Sequence, residues 1–296
     1  MKRVPESHAT GITRREFLRA SAAISTASAL PADAADVKPA ALIDTNVSLS
    51  RWPFRRCPLD DTPSLVAKLR EQGVTQAWAG TFDALLHKDI TSANARLADE
   101  CSRHGAGLLI PIGAINPTLP DWEADLRNCA GQHGMRGIRL HPNYHGITLD
   151  DPIFERVLTA ANERGLLVQI AVVMEDDRTQ NPLVKAAPTD MTPLPALLKK
   201  FPAARVQLLN AFRTLRGKPL ADLAAAGVRF EIATLESVAG IGKMLGQIPL
   251  GSLCFGSHAP FYCFESAKLK LRESVLTDAQ LAAITAENAR TFLAGK

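Results

Sequence analysis

What this 296-residue sequence lacks narrows its chemistry before any motif is read. Its five cysteines (Cys57, Cys101, Cys129, Cys254 and Cys263) include no Cys-x-x-Cys pair and no zinc-finger spacing, which sets aside dithiol redox and zinc-finger chemistry. Their odd number leaves at least one thiol free unless it pairs between chains, and spacing does not decide the pairing. No basic run occurs beyond the first 34 residues, so nucleic-acid binding has no electrostatic footprint. The one mildly apolar leader stretch, residues 20–30, is too short and too rich in Ser and Thr to span a bilayer. Ser48 has no His and Asp neighbours in a nucleophile motif, and no serine-hydrolase reading follows. Low-complexity segments are absent, and the only repetition is an alternation of strand-like and helix-like segments.

The N-terminal stretch carries positive information. At 13–19 the chain reads Thr-Arg-Arg-Glu-Phe-Leu-Arg, placing Arg14 and Arg15 just ahead of Phe17, Leu18 and a run of small residues. This resembles a twin-arginine export signal, in which the arginine pair is read by a receptor and does not anchor the chain. Small-residue cleavage sites end at Ala29 and Ala34. The expectation is an export signal at 1–34, a partner in the twin-arginine export machinery, and a chain that folds before it leaves the cytoplasm. Its destination would be the periplasm or another extracytoplasmic space, with no stable membrane anchor after processing. Residues 35–296 would form a single domain, in which 29 Lys and Arg face 27 Asp and Glu.

About 260 residues suit one (β/α) barrel, and 46% apolar residues supply a large core. Strand-like runs at 41–48, 75–82, 108–116, 137–141, 166–174, 205–210, 229–233 and 253–257 alternate with amphipathic stretches at 94–105, 122–134 and 152–165. Three of those stretches close on Gly105, Gly134 and Gly165, as helix C-termini do. Two further helices, at 265–273 and 278–294, end the chain. Eight strands in this order predict an α/β fold of the (β/α)8 TIM type, with apolar strand interiors. Its chemistry would lie where the strands end at their C-terminal side.

The residues at those ends are polar: Asn46, Ser48 and Arg51; Asp83; Asn116; His141, Tyr144 and His145; Gln169 to Glu175; Asn210 and Arg213; Glu231 or Glu236; and His258. Arg139 shares a face with His141 by the alternation of a strand. A loop at 175–192 with no periodicity follows the fifth strand and would lie over the site.

Four motifs resemble the amidohydrolase superfamily, in its amidohydrolase-related, metal-dependent-hydrolase-like branch. They are Ile43-Asp44-Thr45-Asn46, Gly137-Ile138-Arg139-Leu140-His141-Pro142, Asp150-Asp151-Pro152-Ile153-Phe154, and Phe255-Gly256-Ser257-His258-Ala259-Pro260-Phe261. A last helix with Glu287-Asn288-Ala289 before Phe292-Leu293 agrees with that resemblance. The resemblance implies a metal centre, and here its positions are replaced. Asn46 and Ser48 stand where a His-x-His pair is expected, Gln169 and Asn210 where two further histidines are, and His258 where an aspartate is. Amides and a hydroxyl are weak, neutral ligands for a divalent ion. A zinc or manganese site would have to be rebuilt from His141, His145, Glu175 and His258.

These residues define the expected chemistry. His258 is the expected base and His141 a second catalytic imidazole. Asn46, Ser48, Arg51, Arg139, His145, Gln169 and Asn210 are the expected substrate-binding groups, the amides orienting a carbonyl and an arginine forking onto an anionic group. The expected activity is hydrolysis of an ester, lactone or amide bond in a small polar or anionic molecule, with an altered or absent metal centre. The alternatives are a catalytically silent ligand-binding barrel and a decarboxylase or lyase with a rebuilt metal site. Oligomeric state is not legible.

Overall fold

A computed structural model describes residues 41–295 of the chain. The export signal expected at 1–34 lies outside the described residues. Among the described residues nine strands run parallel: β1 (Ile43–Leu49), β2 (Gln76–Thr81), β3 (Leu109–Pro111), β4 (Gly113–Ala114), β5 (Gly137–Leu140), β6 (Leu167–Ala171), β7 (Val206–Leu209), β8 (Arg229–Glu231) and β9 (Leu253–Cys254). They pair in the orders β1-β2-β3 and β4-β5-β6-β7-β8-β9. β3 and β4 are halves of one stave interrupted at Ile112, whose N–H still donates to the Ala79 carbonyl at 2.8 Å. The other seam closes through residues after β9. Thr45 N–H donates to Phe255 O at 3.0 Å, His258 N–H to Asn46 O at 2.8 Å, and Ser48 N–H to Ala259 O at 2.9 Å. The result is the eight-stave barrel that the alternation of segments predicts.

The helices are α1 (Thr62–Glu71), α2 (Ile90–Gly105), α3 (Trp122–Ala130), α4 (Pro142–His145), α5 (Pro152–Glu163), α6 (Leu194–Leu198), α7 (Gly217–Ala225), α8 (Gly240–Leu245), α9 (Phe264–Glu273), α10 (Asp278–Ala282) and α11 (Asn288–Ala294). α5 shows why they form. Asp151 caps it by accepting from Ile153 N–H at 2.8 Å, Pro152 fits the first turn, and Gly165 takes the left-handed φ of 62° just past its end. Its buried face is Phe154, Val157, Leu158 and Ala161, at helical spacing against the barrel wall. Burying each of the three larger side chains contributes roughly 1.5–3 kcal/mol. Among the described residues no helix is long and apolar enough to cross a membrane.

Two differences from the sequence expectation have local causes. α2 starts at Ile90 instead of residue 94, because Asp89 caps it by accepting from Ser92 N–H at 2.9 Å. The helix expected over 278–294 widens into a π turn, Ala283–Glu287, between α10 and α11. There the Ile284 carbonyl accepts from Phe255 N–H at 2.8 Å, tying the C-terminal helix to the strand that carries His258.

The barrel interior departs from expectation more deeply. Its strands are not apolar inside: Thr45, Arg139, Gln169 and Gln207 lie mid-strand, fully buried. The apolar core sits instead between the outer strand faces and the helices, from Leu42 and Leu65 round to Phe255 and Ile284.

Candidate functional site

A polar rung crosses the barrel. Arg139, Gln169 and Gln207 are neighbours by strand register on β5, β6 and β7. Arg139 Nε donates to Gln169 Oε1 at 2.9 Å. Gln169 Nε2 donates to Gln207 Oε1 at 2.9 Å and to Thr45 O at 2.8 Å, and Gln207 Nε2 donates to Thr45 Oγ1 at 2.9 Å. The Arg139 guanidinium also donates to Val47 O and Ser48 Oγ through Nη1 (3.0 and 3.1 Å) and to Trp78 O through Nη2 (3.3 Å). Its bonded partners are amide, hydroxyl and backbone oxygens. Burial pushes its pKa down to about 10, which leaves it a cation at neutral pH. Gly80 leaves the room it needs, since a Cβ there would lie 2.6 Å from Nη1.

Two buried carboxylates stand beside the rung, Asp44 early in β1 and Glu231 at the end of β8. Asp44 Oδ1 accepts from the N–H groups of Asn46 and Ser257, both at 3.0 Å, and Oδ2 accepts from Ser257 Oγ at 2.5 Å. Burial raises its pKa to about 7, against the downward pull of those donors. Glu231, on β8, accepts from Asn210 N–H at 2.6 Å, Ala233 N–H at 2.5 Å and Asn46 Nδ2 at 3.2 Å, and burial raises it too. A bulge in β1 between Asp44 and Val47 lets Thr45 and Asn46 both bond across the barrel. Asn46 Nδ2 reaches Asn210 Oδ1 at 3.0 Å, and Asn210 Nδ2 donates to Val173 O at 2.9 Å.

His258 and His141 come next, both buried. His258 holds a left-handed φ of 58°, as Asn210 does at 56°, which turns both side chains away from ordinary strand geometry. His258 Nε2 lies 2.8 Å from Met174 O, and burial lowers its pKa to about 4. His141 is held well below the ordinary imidazole range by burial and by the charges of His145, Arg139 and His258. Its ring centroid lies 6.1 Å from that of His145, whose Nε2 is 3.1 Å from Ala84 O and whose pKa burial also lowers. Burial thus holds all three imidazoles below the ordinary range.

An aromatic cap covers this end of the barrel. Trp52 meets Phe54, Phe82, Tyr144 and Phe261 edge to face, with centroids 5.0–6.2 Å apart. Phe261 stacks on His258 at 5.0 Å. Arg55 lies over the outer face of Phe261, 4.6 Å from its centroid, and pairs with Glu175 at 2.6 Å. Glu175 is 1% exposed at its side chain and Arg55 42%.

The structure thus places His141, His258, Asn46, Ser48, Asn210, Arg139 and Gln169 inside one barrel and His145 beside them. Arg51 is exposed on the loop after β1. Arg139, Gln169 and Asn46 bond to the protein itself, to partners on neighbouring staves and across the barrel. Glu175 turns to Arg55 and not to the histidines.

These bonds decide whether the donor set fits a divalent ion. Ser48 and Gln169 carry bonds from a guanidinium cation, and Asn46 and Asn210 are bonded to each other. An ion there would face the charge of Arg139 at close range, so the residues do not fit it. Nor do the four residues of a rebuilt set converge. Among the described residues, no group of three or more His, Cys, Asp or Glu side chains could hold a metal ion. None of the five cysteines is paired.

Sequence reasoning passed over Gln207, named only Tyr144 of the aromatic cap among the strand-end residues, and left Glu231 as one of two candidates. Gln207 had a signal in being a second glutamine at the matching place on the next strand. Trp52, Phe82, Tyr144 and Phe261 had one in lying just past strand ends.

A protein-family model described as amidohydrolase matches residues 49–208. Among solved structures, the 5-carboxyvanillate decarboxylase of Novosphingobium aromaticivorans, complexed with manganese and 4-hydroxy-3-methoxy-5-nitrobenzoic acid, superposes with a TM-score of 0.68. It is 14% identical, over 86% of this chain and 96% of that one. The 5-carboxyvanillate decarboxylase of Sphingomonas paucimobilis gives 0.67 at 15% identity, over 86% and 99%. The 2,6-dihydroxybenzoate decarboxylase from Rhizobium gives 0.64 at 12%, over 86% and 98%. These likenesses show the fold. No curated protein sequence matches the chain.

Proposed function

This chain belongs to the amidohydrolase family, and within it we propose a barrel that acts on a small aromatic compound without a divalent metal, by loss of carbon dioxide from a hydroxylated aromatic acid. The observation that carries this reading is the cap: rings that follow four different strands gather at the barrel mouth, one of them stacked on the buried His258 imidazole. Such walls suit a flat ring, which gains from edge and face contacts as well as from burial. The decarboxylases of the same fold lend the reaction class, and support it better than the ester, lactone or amide hydrolysis suggested by the strand-end residues.

The chemistry needs no ion. A ring hydroxyl gives its proton to His258 Nδ1, electron density moves to the carbon bearing the carboxylate, that carbon takes the proton back from His258 as its bond to the departing CO2 breaks, and the ring oxyanion takes a proton from solvent. One carboxylate and one proton become the arene and CO2. Arg55, Arg139 and Arg213 are all engaged with protein groups, so a carboxylate under the cap would lack a strong counter-charge, which favours its conversion to neutral CO2.

A second reading, a ligand-binding barrel without turnover, is favoured by the mutual bonding of Asn46, Asn210 and Glu231. One experiment separates the two. Chelator-treated protein is incubated with hydroxybenzoic and dihydroxybenzoic acids while CO2 release and thermal stabilisation are followed. Release of CO2 supports the lyase, and stabilisation without release supports the binding barrel. Release only after manganese is added overturns the metal-free premise, and no response of either kind removes both readings.

A further inference from the structure

Seven buried side-chain polar atoms among the described residues have no hydrogen-bond partner, and five of them belong to the barrel mouth: Trp52 Nε1, His141 Nδ1, Asn143 Oδ1, His145 Nδ1 and His258 Nδ1. Orphans of this kind each cost about 1–3 kcal/mol, so their gathering at one end of the fold points to a ligand that pairs with them.

Their chemistry can be read off the bonds their own residues already make. His258 Nε2 and His145 Nε2 each face a backbone carbonyl oxygen, that of Met174 at 2.8 Å and of Ala84 at 3.1 Å. A carbonyl oxygen only accepts, and the Asn210 amide nitrogen, 3.4 Å from His258 Nε2, donates at the shorter 2.9 Å to Val173 O, so each Nε2 carries the ring proton and each Nδ1 is a bare lone pair. Asn143 Nδ2 donates to Ala187 O at 2.9 Å, which fixes its orphan atom as the carbonyl oxygen, again an acceptor. Trp52 Nε1 is a donor, and His141 can serve in either sense. Three of the five are therefore acceptors, beside guanidiniums that are already engaged.

We propose that the barrel mouth recognises its ligand through O–H or N–H groups that the ligand donates to imidazole nitrogens, His258 Nδ1 foremost, and not through an anionic group. The class it fits is a flat ring bearing two or more hydroxyl or amino substituents. The proposal rests on the aromatic-compound reading above and specifies which part of that compound is read. An anionic group would meet lone pairs here, whereas a hydroxyl satisfies an atom that is otherwise left dry.

Calorimetric titration and thermal shift of the whole protein with 1,3-dihydroxybenzene, 1,3-dimethoxybenzene and benzoate test it. The diol is expected to bind roughly ten- to hundredfold more tightly than its dimethyl ether, the cost of leaving buried acceptors unpaired. Equal affinity for diol and ether, or tighter binding of benzoate than of the diol, overturns the proposal but leaves the aromatic reading standing. No binding of any of the three overturns both. In His258→Phe, which keeps a ring against Phe261 and deletes the lone pair, the diol should fall to the affinity of the ether; an unchanged preference for the diol counts against the proposal. Because residue 258 holds a left-handed φ, this variant can fail to fold. Nitrogen-15 NMR of the imidazoles in the unaltered protein then decides: protonated Nε2 on His258 is required, and protonated Nδ1 overturns the assignment.

Discussion

Asn46 Nδ2 donates to Asn210 Oδ1 at 3.0 Å, joining β1 to the end of β7. Two positions where the family resemblance implies histidine ligands have thus become a hydrogen-bonded amide pair, closed from below by Glu231. Putting the ligands back one strand at a time should therefore not restore a metal. In Asn46→His with Ser48→His, the Arg139 guanidinium still sits on Gln169 and beside residue 48, and its charge opposes a divalent ion. Elemental analysis of that double variant after dialysis against zinc or manganese should find far less than one ion per chain. A stoichiometric ion would show that Arg139 yields.

Arg139 itself should be required for folding. In Arg139→Met, Gln169 Oε1, Ser48 Oγ and the carbonyls of Val47 and Trp78 lose a donor inside the barrel. Breaking a buried charged network in this way costs on the order of 3–5 kcal/mol. Gly80→Ala should act through the same group by driving a methyl into the guanidinium, at about 1–3 kcal/mol. Denaturant unfolding at neutral pH measures both. A change below about 1 kcal/mol in Arg139→Met, the net worth of one hydrogen bond, would show the rung to be dispensable.

Asp44 and His258 should tilt stability against pH in opposite senses. Burial raises Asp44 from 3.8 to about 7, so the folded state holds its proton longer than the unfolded chain does. That contribution is complete below pH 3.8 and is lost as pH rises to 7. His258 falls from 6.5 to about 4, so its contribution is present above pH 6.5 and is lost as pH drops towards 4. Asp44→Asn keeps an acceptor for Ser257 and removes the first slope. Relative to the unaltered protein, it should gain stability between about pH 4.5 and 8 by an amount on the order of a few kcal/mol. An identical stability difference at both ends of that range would mean that Asp44 ionises normally.

The barrel was legible because its signals are local and redundant. Eight apolar runs, glycine stops such as Gly165 and the Asp151-Pro152 start each mark an element without help from the rest of the chain. The site was legible only as a set of positions. His141 and His258 could be placed at strand ends, but whether Arg139 faces a ligand or Gln169 depends on side chains meeting across β5 and β6. Thirty residues separate those two in sequence, and no period links them. The cap was not legible as a unit for the same reason: Tyr144 stood among the strand-end residues and Phe261 in the last motif, but Trp52, Phe82, Tyr144 and Phe261 follow four different strands and do not point to one another in sequence. Glu175 stood out as a titratable group after β6, and its partner Arg55, 120 residues away, is what removes it from the histidines.

That ion pair makes the last prediction. Arg55 bonds to Glu175 and covers Phe261, which in turn stacks on His258 and packs against Trp52, so the pair holds the cap over the imidazoles. Glu175→Gln keeps the size of the side chain and removes its charge, which weakens the hold on Arg55 without opening a cavity. In a protein where Trp78 and Trp122 are replaced by Phe, emission comes from Trp52 alone, and acrylamide should quench it more strongly once Glu175→Gln is added. Raising the salt concentration should move the protein that retains Glu175 in the same direction, because Arg55 is 42% exposed and open to screening. Salt should leave the Glu175→Gln variant where it is. Diethylpyrocarbonate labelling of His258, located by peptide mass spectrometry, should rise in parallel. If quenching and labelling stay at their original levels in Glu175→Gln, the aromatic contacts alone hold the cap shut and the ion pair is an ornament of the surface.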